Sequence, residues 1–328
     1  MARHLNRWLI LALVVVLVGL SMANKSYLNQ VAITTMIFIV LTASLNYVTG
    51  TAGLLSLGHA AFFGVGAYAA ALLSTKAGWS FWFTLPAAGV ITAAIGIVVA
   101  LPTMRLVSIY FAVATLGIGE MLYVTMLNWV GLTRGPMGIR SIPAIELPGA
   151  KALGLSSTEV SMLAVALVML ASLWAMHRLS HSFYGNSLRA LREDDACADA
   201  MGIDFARLKL EAFAVSCFFA GIAGALFAHT TGYISPESFR FGESILVLSM
   251  AVIGGLGSLY GSVIGAVVLS VLPEALRELG SFRMIVVGLV LFLSILFLPR
   301  GLLGEVSALD LVRRQLRRAP AAGGRRRW

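Results

Sequence analysis

From residue 31 to residue 298 the chain runs through one apolar stretch after another: 31–48, 58–74, 81–101, 106–130, 159–177, 210–230, 243–256, 261–276 and 284–298. Short breakers part them, among them Gly50 with Gly53, Lys76 to Trp79, Pro102 to Arg105, Gly254 to Gly261, and Pro299-Arg300-Gly301. A helix needs about 20 such residues to cross hydrocarbon, and there the segment must satisfy its own backbone polar groups. An earlier run, Trp8 to Leu20, follows Arg3 and Arg7 and ends at Ser21-Met22-Ala23, which has the form of a signal-peptidase site. It reads as a retained first helix or as a cleaved leader. The expected fold is an all-α polytopic membrane protein of about ten transmembrane or half-membrane helices. The stretches 243–256 and 261–276 are short for a crossing and are expected as half-helices or re-entrant segments.

Composition removes the other classes. With 59% hydrophobic and 12% charged residues, against about 25% charged in a soluble domain, the chain belongs in a bilayer. Its net charge of +9 is concentrated in Arg313, Arg314, Arg317, Arg318 and Arg325 to Arg327. These lie beside membrane segments and not on a folded basic domain, so membrane lipids are the expected partner and nucleic acid is not. Cys197 and Cys217 give no disulfide scaffold. There is no Gly-x-x-x-x-Gly-Lys-Ser/Thr loop, so ATP hydrolysis is not expected of this chain. Gly64-Val65-Gly66-Ala67-Tyr68-Ala69 fits a dinucleotide loop only formally, because no strand precedes it. His177 and His181 stand four apart with no third ligand near, so no metal, cofactor or catalytic residue is expected.

Orientation rests on lysine and arginine near helix ends. Arg178, Arg189, Arg192, Arg207 and Lys209, together with the terminal arginines, favour an arrangement with both termini cytoplasmic. Residues 1–304 then form a membrane domain and 305–328 a basic cytoplasmic tail. The segment 182–209 is cytoplasmic, and 131–158 is an extracytoplasmic loop with a turn-rich tip at Arg134-Gly135-Pro136-Met137-Gly138.

The stretch from Gly53 to Ala70 is apolar, yet it is interrupted by glycines and carries His59. Rows of small residues, Ala60/Gly64 and Gly66/Ala70/Ser74, let helices approach closely where hydrocarbon offers no hydrophobic drive to associate. Ser56-Leu57-Gly58-His59-Ala60-Ala61-Phe62-Phe63-Gly64-Val65-Gly66-Ala67-Tyr68 resembles the signature segment of LivM-type permease subunits of branched-chain amino acid ABC importers. Three more blocks agree: Tyr110-Phe111-Ala112 with Thr115-Leu116 and Glu120, then Ser235 to Phe239, then Gly254 to Gly261. The resemblance spans roughly residues 30 to 305 and implies a permease in the bacterial inner membrane working by alternating access. Its implied partners are a second homologous permease subunit, two ATP-binding subunits that bind the ATP, and an extracytoplasmic solute-binding protein. Urea or short amides are alternative solutes within the family, and an ion-coupled secondary transporter is the alternative outside it. Arg134 and Ser262 depart from the family pattern, which has glycine at the first position and often proline at the second; a looser turn is expected around Ser262.

In the cytoplasmic segment Ser187 is suited to cap a helix running to Met201, with Gly202 as its stop and Asp204 capping the next span. Ala196-Cys197-Ala198-x-x-x-Gly202 is similar to the coupling-helix motif that docks on the ATPase; the motif's glutamate is missing. On that resemblance Arg192, Glu193, Asp194, Asp195, Ala196, Ala198 and Gly202 are the coupling candidates. The bland reading is an amphipathic loop helix with a solvated face.

Ionisable groups inside spans usually face the bundle interior or water. Glu120, beside Gly117 and Gly119, reads equally as a pathway group or as a structural hydrogen bond between helices. His59 reads as a packing histidine or a pathway residue; Ser56, Asn46 and Asn128 are weaker candidates. The pathway is expected beside the helix 58–74, with Ser56, His59, Gly64, Tyr68, Glu120, Gly257 and Gly261 along it. A glycine-rich break in each half, around 53–66 and 254–265, suits a pair of inverted repeats, although the halves share too little sequence to establish one.

Overall fold

The computed structural model describes residues 26–103, 108–146, 156–193, 204–277, 280, 282–297 and 301–302. Helix α1 (Ser26–Asn46) closes in a π-helical turn (Tyr47–Thr51), and an irregular stretch leads to α2 (His59–Lys76). Then come α3 (Phe81–Ala100), α4 (Ser108–Asn128), the short α5 (Val130–Thr133), a 3₁₀ turn (Gly135–Met137) and β1 (Ile139–Arg140). The second half holds α6 (Ser157–Ser180), α7 (Phe183–Glu193), α8 (Phe205–Thr231), β2 (Tyr233–Ile234), a 3₁₀ turn (Pro236–Phe239), α9 (Phe241–Gly254), α10 (Leu259–Ala275) and α11 (Phe282–Phe297). Among the described residues, each apolar stretch from residue 31 onward is largely helical. Five helices among the described residues are long and apolar enough to cross a membrane, and α9 and α10 fall short, as their lengths led one to expect. Residues 1–23 and the tail from 305 lie outside the described residues.

Burial sorts the bundle. In α1, 83% of the most apolar window is buried, against 33% in α3 and in α4, so α1 is the central helix and the other two present a face outward. Helix α8 crosses α2 and α3 through glycine: a Cβ on Gly66 would fall on the Gly221 backbone, and one on Gly221 would stand 2.8 Å from the Ala88 carbonyl oxygen. Aromatic rings fill the flanks, with Phe213 edge-on to Phe62 and Phe111 at 5.4 and 5.5 Å.

At one end of the bundle the α4–α6 connection is fastened to the end of α8. β1 and β2 pair antiparallel, Ile139 opposite Ile234. His229 places Nδ1 2.8 Å from the Pro143 carbonyl oxygen and Nε2 3.0 Å from Thr84 Oγ1. Arg134, the residue that departs from the family glycine, sits exposed at φ +62°. That left-handed conformation costs an L-residue about 1–2 kcal/mol, part of which glycine returns through its freer unfolded chain. Arg134→Gly is therefore expected to stabilise the loop by about 0.5–1 kcal/mol, read as a small rise in the thermal midpoint of the purified protein.

The segment after α6 corrects one expectation. Ser187 is not a cap: α7 begins at Phe183, Ser182 Oγ accepts from the Gly185 amide at 3.3 Å, and Ser187 Oγ donates back to the Phe183 carbonyl at 3.2 Å. The earlier start has a packing cause, since Gly185 lies against the Ser180 carbonyl and brings the new helix directly under α6. Asp204 does cap α8, its side chain accepting from the Arg207 amide at 3.1 Å. Asp194, Asp195, Ala196, Ala198 and Gly202 lie outside the described residues.

Candidate translocation site

Two helix breaks face each other. The first runs from the π turn through Gly53 (φ +72°) to Gly58; the second joins α9 to α10 through Gly255 and Gly257 (φ +116° and +83°). Asn46, at the end of α1, holds the second. Its Nδ2 donates to the carbonyls of Gly255 (3.3 Å) and Ser258 (2.9 Å) and to Ser262 Oγ (2.6 Å), and its Oδ1 accepts from the Gly257 amide (2.9 Å). Ser262, expected to loosen this turn, instead tightens it: fully buried, it takes the Asn46 bond and donates to the Ser258 carbonyl at 3.3 Å. The α9–α10 approach depends on Gly261 and Gly254, where a Cβ on either would fall on the other's backbone.

A small cavity lies beside the first break, lined by Leu57, Gly58, Ala61, Leu116, Gly119, Glu120, Phe239, Phe241 and Ser244. Its walls are locked by polar contacts. Thr115 Oγ1 accepts from the Leu57 amide at 3.1 Å and Ser244 Oγ from the Ala60 amide at 3.0 Å. Helix α4 comes this close because Gly119 and Gly58 meet: a Cβ on Gly119 would stand 2.9 Å from Gly58 Cα. Gly117 takes no part, having no atom within 4 Å of where its Cβ would be. Glu120 is half-buried in the wall, and among the described residues it makes no hydrogen bond or ion pair, so the reading of a structural bond to another helix finds no support.

The other sequence candidates divide between supports and the second break. His59 is fully buried with Nε2 2.8 Å from Ser44 Oγ, facing α1, and Ser56 is also fully buried; neither lines the cavity. Gly64 and Tyr68 back Phe239: a Cβ on Gly64 would stand 2.8 Å from Phe239 Cγ, and the Tyr68 ring lies 6.1 Å from that of Phe239. Phe63 and Phe227 complete the cage at 5.3 and 6.1 Å. Gly257 and Gly261 belong to the second break. Phe239, Phe241 and Ser244 went unselected in the sequence, although Phe239 stands in one of the recognised blocks, and Asn46 was ranked only as a weaker candidate although it clamps the second break.

The sequence also matches known proteins. Residues 7–295 match the family described as branched-chain amino acid transport system / permease component. The high-affinity branched-chain amino acid transport system permease proteins LivM of Salmonella typhimurium and of Escherichia coli are each 38% identical over 294 residues, covering 84% of this chain and 69% of their own. The corresponding LivH protein of Escherichia coli is 29% identical over 187 residues, covering 54% of this chain and 59% of its own. No solved structure matches. A match that spans both breaks and every helix described above decides the matter: the chain belongs to the family of branched-chain amino acid transport permease components.

Proposed function

We propose that this chain is a permease subunit of an ATP-driven importer of branched-chain amino acids in the bacterial inner membrane, with both termini cytoplasmic. The observation that carries the reading is the 38% identity to LivM proteins along 294 residues. The chain binds no cofactor of its own; two ATP-binding subunits supply the energy, a second homologous permease completes the pathway, and an extracytoplasmic solute-binding protein delivers the amino acid. Residues 131–158 face that protein and 182–209 face the ATPases. Glu120 is the carboxylate placed on the pathway, suited to meet the ammonium group of an amino acid.

Uptake by the reconstituted complex decides it. Leucine, isoleucine and valine should enter only with ATP, and urea should not. Glu120→Gln is expected to keep ATP-driven uptake that ignores a collapsed proton gradient, with apparent affinity lower by about tenfold, the loss of one charged hydrogen bond worth about 1.5 kcal/mol. Uptake that survives ATP depletion and vanishes in Glu120→Gln would establish a secondary transporter instead.

A further inference from the structure

Helix α7 is fastened to its neighbours along its length. Leu188 and Leu191 are buried, Tyr184 Oη donates to the Leu208 carbonyl at 3.3 Å, and Arg189 Nη2 donates to Ser180 Oγ at 3.2 Å. Those contacts tie it to α6 and α8, which flank it in sequence. A further one reaches across 142 residues: Arg192 Nη1 donates to the Gly50 carbonyl oxygen at 2.6 Å. Gly50 lies in the π turn that ends α1, where carbonyls have run out of helical N–H partners and a guanidinium is suited to cap them. Gly53 makes the room, since a Cβ there would stand 2.8 Å from Arg192 Cγ.

The far side of Gly50 is the second break. A Cβ on Gly50 would fall on the Gly257 amide and stand 2.7 Å from Gly257 Cα, and that amide is the one held by Asn46. A single peptide unit therefore separates the guanidinium from the α9–α10 junction. Apart from Arg192 itself, each member of this chain of contacts is main chain or the buried Asn46 side chain, so little slack is available to absorb a displacement. Arg192 has its side chain 27% exposed, and its other terminal nitrogen is engaged by Glu193 at 3.1 Å.

We propose that Arg192 is a positioning residue for transport, transmitting movement of α7 to the α9–α10 break through the Gly50 carbonyl, and is not itself a contact to the ATPase. The proposal rests on the permease reading and sharpens it, because it moves Arg192 from the docking face to the inner side of the helix.

The test uses the full complex in proteoliposomes, with uptake, ATP hydrolysis and subunit composition measured on the same sample. Arg192→Gln is expected to lower uptake at least about tenfold while ATP hydrolysis and ATPase co-purification stay within about twofold, so that less solute moves per ATP; coupling energies of this kind correspond to 5–150-fold. Arg192→Lys, which can still donate to the Gly50 carbonyl, is expected to recover uptake to within about threefold of the unaltered complex. Unchanged solute per ATP in Arg192→Gln overturns the proposal. Loss of the ATPase subunits from that variant also overturns it, by making Arg192 a docking residue. If Arg192→Gln does not assemble, Arg192→Lys decides alone: it must assemble and couple, and its failure counts against the proposal. An unaltered complex without ATP-driven uptake overturns the permease reading itself, a result visible before any variant is compared.

Discussion

Replacing Asn46 with aspartate is expected to damage the protein more than replacing it with alanine, although aspartate has nearly the same shape. Asn46 is 3% exposed and its Nδ2 is surrounded by three oxygen atoms, two of them carbonyl oxygens that can only accept. Aspartate presents an oxygen where those groups need a donor, and buries a charge whose direct hydrogen-bond partners are all neutral. Protonation relieves the charge but restores at most one donor. The expected cost is about 3–5 kcal/mol, as for other uncompensated buried charges. Alanine removes the clamp and leaves the Gly257 amide without its acceptor, at about 1–3 kcal/mol. At 1.4 kcal/mol per decade the aspartate variant should keep the α9–α10 junction intact less often by a factor of about 100 or more. Thermal unfolding of the purified chain and uptake by the complex should both rank asparagine, alanine, aspartate in that order. An aspartate variant equal to wild type would mean that the clamp carries no energy.

The second large effect is expected at the crossing of α2 and α8. Gly224→Leu drives its first carbon onto the Phe63 carbonyl and to within 2.6 Å of the Ala67 amide, both main chain of an intact helix. No rotamer change removes such a clash, so the helices must separate along the whole crossing. The cost should exceed the about 1–3 kcal/mol usual for overpacking against side chains, and little folded protein should accumulate in membranes, as judged by size-exclusion chromatography of a fluorescent fusion. Gly117→Ala and Gly242→Ala are the controls. Neither Cβ meets an atom within 4 Å, and alanine adds up to about 1 kcal/mol of helix propensity, so both should accumulate normally. Gly64→Leu falls between these cases, since it presses on the Phe239 ring and not on a backbone.

These two sites also mark how far the sequence could be read. The helices were legible because hydrocarbon imposes length and polarity on any segment that crosses it, and the boundary of α3 was read to within a residue. The glycine-rich breaks around 53–66 and 254–265 announced close packing, but not which helix each would meet. Glu120 was legible as a polar group that needs cover, and Gly119 beside it gave the reason for a close approach. Asn46 was undervalued because its partners stand 209 to 216 residues away, and no local pattern links them. A separation of 142 residues likewise hid the contact of Arg192 with the Gly50 carbonyl, since its sequence neighbours spoke for a docking face. Ser262 was misjudged since its departure from proline was weighed without the amide that binds it. The start of α7 was misplaced because Ser182 and Ser187 are equally good caps until packing under α6 chooses between them.

The centrality of α1 has a consequence for biosynthesis. Its polar groups are satisfied by residues made much later: the Ser44 carbonyl accepts from Ser216, Thr42 Oγ1 donates to Met250 Sδ, and Asn46 waits for residues 255 to 262. At about 5–20 residues per second, ribosomes need on the order of 10–40 s to close that gap. During that interval the helix sits in lipid or in the insertion machinery with an amide side chain that has no native partner. The nascent N-terminal half is therefore a client for protection, and a ribosome that stalls between α6 and α8 leaves behind a fragment in which Thr42, Asn46 and the Ser44 carbonyl lack these partners.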